Sequence, residues 1–181
     1  MDIERFRSYL LFIARMKLDR KLCTKLDASD VVQQTLLEAH QAVESFRGND
    51  TAAQAAWLRQ ILARNLANAV RDLTRGKRDV RRERALQTEL DASASQLEGW
   101  LAAEQSSPSQ KMERHDRALQ LADALAELPD TQRDALLLRH FQGLSLAEIA
   151  AQLDCTIAAV TGLLHRGLKN LRKSLSQWNE S

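Results

Sequence analysis

Apolar residues recur three and four positions apart along most of this chain, the spacing that gathers them on one side of a helix. In the first such segment, from Ile3 to about Leu22, Ile3, Phe6, Leu10 and Ile13 share a face and charges fill the others. Asp27-Ala28-Ser29-Asp30 then offers the short polar acceptor and early acids of a helix start. The helix that follows runs to about Phe46 with Val32, Leu36, Ala39, Val43 and Phe46 as its stripe, and Gly48 is expected to end it as a left-handed cap. A third helix begins between Thr51 and Ala56 and reaches about Leu73. Its stripe is Leu58, Leu62, Leu66, Ala69 and Leu73, with Trp57, Ile61 and Val70 alongside.

The stripe fades between about Leu90 and Met112, where Ser93, Ser95, Ser106, Ser107, Pro108 and Ser109 fall. This stretch reads as a tether with at most a short helix around Leu97–Ala103 carrying Trp100. Periodicity returns at about Glu113 with Leu121, Leu125 and Leu128, and Pro129 breaks it. Asp130 or Thr131 is expected to cap the next helix, which carries Ala135, Leu136, Leu138 and Phe141 and stops at Gln142-Gly143. Ser145, with Glu148 three positions later, forms a capping box for a short helix bearing Leu146, Ile149, Ala150 and Leu153. After Asp154-Cys155-Thr156, the last helix aligns Ile157, Val160, Leu164, Leu168, Leu171 and Leu175. The pattern predicts an all-α protein: two small helical domains, residues 1–90 and 113–181, joined by a flexible linker over 91–112.

Composition agrees with the helices. Six glycines, two prolines and 4% aromatics in 181 residues speak against a β-sandwich or a Pro-rich chain, and 44% hydrophobic residues can build a core. Cys23 and Cys155 are isolated, so neither a disulfide framework nor a zinc site is expected. His40, His115, His140 and His165 lack metal-ligand spacing, and no nucleophile elbow, phosphate loop or metalloprotease motif occurs. No enzyme, metal or cofactor is expected. The N-terminus lacks a secretory layout and no apolar run approaches a membrane span, so the expected setting is cytoplasmic, without membrane insertion.

The total charge is uninformative, 26 Lys and Arg against 24 Asp and Glu, but its distribution is not. From Arg71 to Arg84, seven of fourteen residues are basic and three acidic. From Ile157 to Gln177 there is no acid at all.

The segment from Gly143 to Arg172 has the form of a helix-turn-helix. Ile149, Ala150 and Leu153 are placed to pack on Val160 and Leu164 and set the angle between the helices. The second helix then turns outward Ala158, Ala159, Thr161, Gly162, His165, Arg166 and Lys169. Small residues lie toward its N-terminal end, where base edges are approached, and Arg166, Lys169, Arg172 and Lys173 follow. An acid-free outward face suits phosphate contact. The pattern by itself also fits a helical bundle whose last helix is basic because its dipole favours cations there. A free-standing DNA-binding regulator and a helical interaction protein without a DNA role remain further readings.

The layout resembles bacterial RNA polymerase sigma factors of the extracytoplasmic-function type, which carry only regions 2 and 4. Four pieces in order support this: Asp27-Ala28-Ser29-Asp30 with Val31-Val32-Gln33-Gln34; Phe46-Arg47-Gly48 with Trp57-Leu58, Ile61 and Asn65; the basic stretch Arg71–Arg84; and Leu128-Pro129 with Gly143-Leu144-Ser145-Leu146-Ala147-Glu148-Ile149-Ala150. The resemblance implies a specificity subunit for core RNA polymerase that directs transcription initiation. It implies polymerase contact, at the clamp helices and the flap, with Asp30, Gln33, Gln34 and Leu37 on the clamp-facing helix. It assigns capture of the melted −10 non-template strand to Asn65, Arg71, Thr74, Arg75, Lys77, Arg78, Arg81 and Arg82, with Asn65 as an inward polar residue bracing the neighbouring loop; by itself Asn65 also fits a helix-surface amide. Reading of the −35 duplex falls to Ala159, Thr161, Gly162, His165, Arg166 and Lys169. Promoter DNA is the second partner, and the family admits an anti-sigma factor as a third. The chain departs from the family where aromatics often stand, with Thr51-Ala52-Ala53-Gln54-Ala55-Ala56, and at Gln34, Thr161 and Leu163, where charged residues are usual.

Overall fold

The computed structural model describes residues 2–17, 26–48, 50–74, 80–102 and 111–179, and their regular elements are helical. A short 3₁₀ turn, Glu4–Phe6, leads into α1 (Arg7–Lys17). Then come α2 (Ala28–Ala42), closed by a 3₁₀ turn at Val43–Ser45, α3 (Thr51–Thr74) and α4 (Val80–Ala102). They are followed by α5 (Lys111–Ala126), α6 (Asp130–Leu136) with a π turn over Leu137–Phe141, α7 (Leu146–Gln152) and α8 (Ile157–Asn179). The chain divides into two compact units, Met1–Leu119 and Gln120–Ser181.

In the first unit, α1 packs on α2, α3 and α4, and α3 lies between α2 and α4. Phe6, Leu10 and Ile13, Val32, Leu36 and Ala39, and Leu58, Leu62 and Leu66 supply the core from three elements, each almost wholly buried. Asp27 caps α2 by accepting the Ser29 N–H at 2.8 Å. Asp50 does the same for α3, accepting from Ala53 at 2.7 Å. Gly48 is not a left-handed cap, since Gly143 is the positive-φ glycine of the described residues. Its requirement is space. A Cβ there would lie 2.3 Å from Phe46 Cζ and 2.7 Å from Ala53 Cβ. The Phe46 ring in turn stacks on Trp57 at 4.8 Å, so Trp57 belongs to the packing of this corner.

Residues 91–102, expected in the tether, are helical and continue α4. Leu90, Ser93, Ala94 and Leu97 are buried at spacings of three and four. The stripe was hidden because small residues carry half of it. The serines do not break the helix because their hydroxyls bond back to it: Ser93 donates to the Glu89 carbonyl and Ser95 to that of Asp91, both at 3.0 Å. Residues 103–110 of the expected linker lie outside the described residues.

In the second unit, Pro129 rather than Asp130 or Thr131 stands at the N-cap of α6, and its carbonyl accepts from Gln132 and Arg133. The π turn ends at Gly143, whose φ of +71° brings the Leu144 N–H back to the Leu138 carbonyl. That φ favours glycine.

Candidate nucleic-acid interface

Ser145 opens α7 with a full capping box. Its hydroxyl accepts the Glu148 N–H, and the Glu148 carboxylate accepts from the Ser145 N–H at 2.8 Å and hydroxyl at 2.7 Å. Those bonds hold the Glu148 carboxyl below its ordinary range. The turn after α7 uses Asp154 at φ +51°, and the Cys155 N–H closes on the Ala150 carbonyl at 3.0 Å. This is the bonding of a helix C-terminus finished by a left-handed residue. Thr156 then caps α8, its hydroxyl accepting from the Ala159 N–H at 3.1 Å. The chain direction changes by 98° between Leu146–Gln152 and Ile157–Gln177, within the range of a helix-turn-helix.

Packing fixes this angle. Leu138, Ile149, Ala150 and Val160 form a buried cluster, and Leu144, Leu146, Leu153, Cys155 and Leu164 pack against it. Further along the same face of α8, Gly167 lets α6 approach closely: a Cβ there would lie 3.1 Å from Leu136 Cδ1. Asn170 donates to Gln132 across the same pair of helices at 2.9 Å. With that one face buried, Ala158, Ala159, Thr161, His165, Arg166, Lys169, Arg172 and Lys173 are exposed together on the other. Ile157, read as a core position, is instead 51% exposed at the tip of this face. It sits in the first turn, beyond the reach of the buried cluster.

The first unit presents two further surfaces. On α2, Asp30, Gln33, Gln34 and Leu37 are all exposed, Leu37 by 53%. They lie opposite the buried Val32, Leu36 and Ala39. Behind them Gln34 donates to Glu38 at 2.9 Å, and Arg64 of α3 forms an ion pair with the same carboxylate. The second surface is basic. Arg71 is half-buried near the end of α3 and pairs with Asp72 at 3.0 Å, Thr74 is the last residue of that helix, and Arg81 and Arg82 are exposed in the first turn of α4. Arg75, Lys77 and Arg78 lie outside the described residues.

The Sigma-70 region 2 family model matches residues 3–76, and that of Sigma-70, region 4 matches residues 118–171. The RNA polymerase sigma-H factor of Pseudomonas aeruginosa is 30% identical over 153 residues, covering 82% of this chain and 73% of that protein. The chain belongs to the extracytoplasmic-function sigma factors. The ECF RNA polymerase sigma-E factor of Escherichia coli K12 is 31% identical over 77% of this chain and 69% of its own length. For the RNA polymerase sigma factor YlaC of Bacillus subtilis the figures are 31%, 84% and 80%. As a member of this family, the chain is a sigma factor directing promoter-specific transcription, and its two helical units carry regions 2 and 4. No single helix among its described residues is long and apolar enough to cross a membrane.

Within this sigma factor Asn65 is turned inward, as the resemblance implies. Asn65 is only 8% exposed and donates to Thr35 Oγ1 at 3.2 Å. Thr35 in turn donates to the Val31 carbonyl at 2.8 Å. Asn65 therefore braces α3 against α2. Gly162 also differs from its neighbours on α8: it is half-buried, under the side chain of Arg166. Two contributors escaped the sequence reading. Thr156 was legible as a short polar acceptor before an apolar-periodic run. The Arg64–Glu38 pair links α3 to α2 across 26 positions, and no local signal announces it.

Proposed function

We propose that this sigma factor docks on core RNA polymerase in the cytoplasm, with the α2 face of Asp30, Gln33, Gln34 and Leu37 against the clamp helices and the second unit against the flap. Its α8 enters the −35 major groove, with Ala159, Thr161, His165, Arg166 and Lys169 toward the DNA. Arg71, Thr74, Arg75, Lys77, Arg78, Arg81 and Arg82 hold the phosphates and the unstacked bases of the −10 non-template strand. It performs no bond chemistry; capture of the strand drives opening of the duplex. An anti-sigma factor would silence it by covering the α2 or α8 face.

The observation that supports this most is the Thr156-capped, acid-free α8, held outward by its packing on α6 and α7 in a chain whose other half matches region 2. Runoff transcription with purified core enzyme and a randomised promoter library tests it. Promoter-dependent transcripts with two selected elements are expected. Absence of transcripts, with DNA binding insensitive to salt, would overturn the reading, because phosphate neutralisation must appear as a salt slope.

A further inference from the structure

Glycine is a poor residue for the middle of a helix, yet α8 contains two, and the structure gives them different neighbours. Gly167 faces Leu136 and Gln132 of α6, so its reason is helix packing. At Gly162 the three atoms nearest to an added Cβ all belong to one side chain: Arg166 Nη1 at 3.1 Å, Nη2 at 3.5 Å and Cζ at 3.6 Å. No core atom is among them. Nor does Gly162 have a positive φ. Neither packing nor backbone conformation demands glycine there.

What glycine supplies is a bare strip of helix surface. Side chains on a helix lean toward its N-terminus, so residue i+4 overlies residue i. With no Cβ at 162, the Arg166 chain lies down along α8 and brings its guanidinium back one turn, over Gly162. That is the end of a recognition helix that meets base edges. The favoured base partner of such a guanidinium is the O6 and N7 edge of guanine. We infer that Gly162 is a positioning residue for Arg166, and that the empty position steers this guanidinium onto one −35 base pair. The inference rests on α8 being the −35 reader.

The test uses holoenzyme assembled from core polymerase and the full chain, bound to a library randomised across the −35 element. Gly162→Ala moves only the flexible end of a side chain, and alanine strengthens the helix, so the thermal midpoint should hold or rise. Preference at one base pair should nonetheless fall by about tenfold. Arg166→Ala should flatten the same base pair, and the double variant should be no flatter than Arg166→Ala alone. An unchanged preference in Gly162→Ala, or an effect of equal size in the Arg166→Ala background, would overturn the inference while leaving α8 as the reader. If Arg166→Ala leaves all −35 preferences intact, the reading of α8 by way of Arg166 falls, and the inference with it.

Discussion

Arg59 donates from Nε to Asp91 Oδ1 at 2.6 Å and from Nη1 to the Tyr9 hydroxyl at 2.7 Å, tying α3 to α4 and α1 at once. The guanidinium side is only 11% exposed, whereas Asp91 is 46% exposed. Asp91→Ala would strand a largely buried cation. The half-exposed partner moderates the loss, and about 1–3 kcal/mol of destabilisation is expected in urea unfolding of the first unit. A neutral outcome would mean that Asp91 behaves as a tether residue after all.

Leu97 tests the same region through packing. It is fully buried, yet it lies in the stretch whose composition suggested a linker. Leu97→Ala should cost about 2–5 kcal/mol, as truncation of a core leucine does. Hydrogen exchange along α4 should quicken in step. Substitution in a solvated connector would change neither.

The Glu38 carboxylate sets a pH dependence. Burial works against its charge, but hydrogen bonds from Gln34 and Arg64, with the charge of Arg64, outweigh it and hold the pKa below the ordinary carboxylate range. The folded state thus binds this proton less readily than the unfolded state. Stability from this group is complete above the unfolded pKa and is lost as pH falls through the lower folded value. Glu38→Gln should be less stable than the parent at about pH 7 and converge with it as pH falls through the lowered folded value, a comparison read from urea midpoints across acidic pH.

Arg82, exposed in the first turn of α4, is proposed to meet phosphate. In holoenzyme binding to a single-stranded −10 oligonucleotide, Arg82→Ala should reduce the magnitude of the log–log salt slope by roughly one unit or somewhat less, weakening different sequences alike. A sequence-selective loss with an unchanged slope would assign it to base contact instead.

Asp154 adopts φ +51° in the turn of the helix-turn-helix. Asp tolerates that region better than most residues, but glycine tolerates it without steric cost. Asp154→Gly should raise the stability of the second unit by up to about 1 kcal/mol, and Asp154→Val should lower it by more than that. Thermal unfolding of the two variants decides the matter.

Where large apolar residues carried the stripe, the fold was legible in the sequence. Leu58, Leu62 and Leu66 of α3, and Ile149 with Val160 in the second unit, lie where the spacing puts them. It failed where the stripe was built from Ser93 and Ala94, because burial of a small or back-bonded residue leaves no hydrophobic signature. The α8 face was legible for a related reason: an unbroken absence of acid is a one-dimensional property. Asn65, taken by itself, was not. Its burial depends on Thr35, thirty residues away, and an amide on a helix looks the same whether it faces water or a partner. Gly48 was singled out correctly for the wrong cause, since crowding by the Phe46 ring is a property of three dimensions.

With no acid between Ile157 and Gln177, α8 holds Arg166, Lys169 and the pair Arg172 and Lys173 on successive turns with nothing of opposite sign among them. Like charges at these separations repel. Added electrolyte should therefore tighten the second unit when it is alone and loosen its grip on a duplex. The same four cations would give the two processes ionic-strength responses of opposite sign, so that DNA relieves a tension the unbound helix carries by itself.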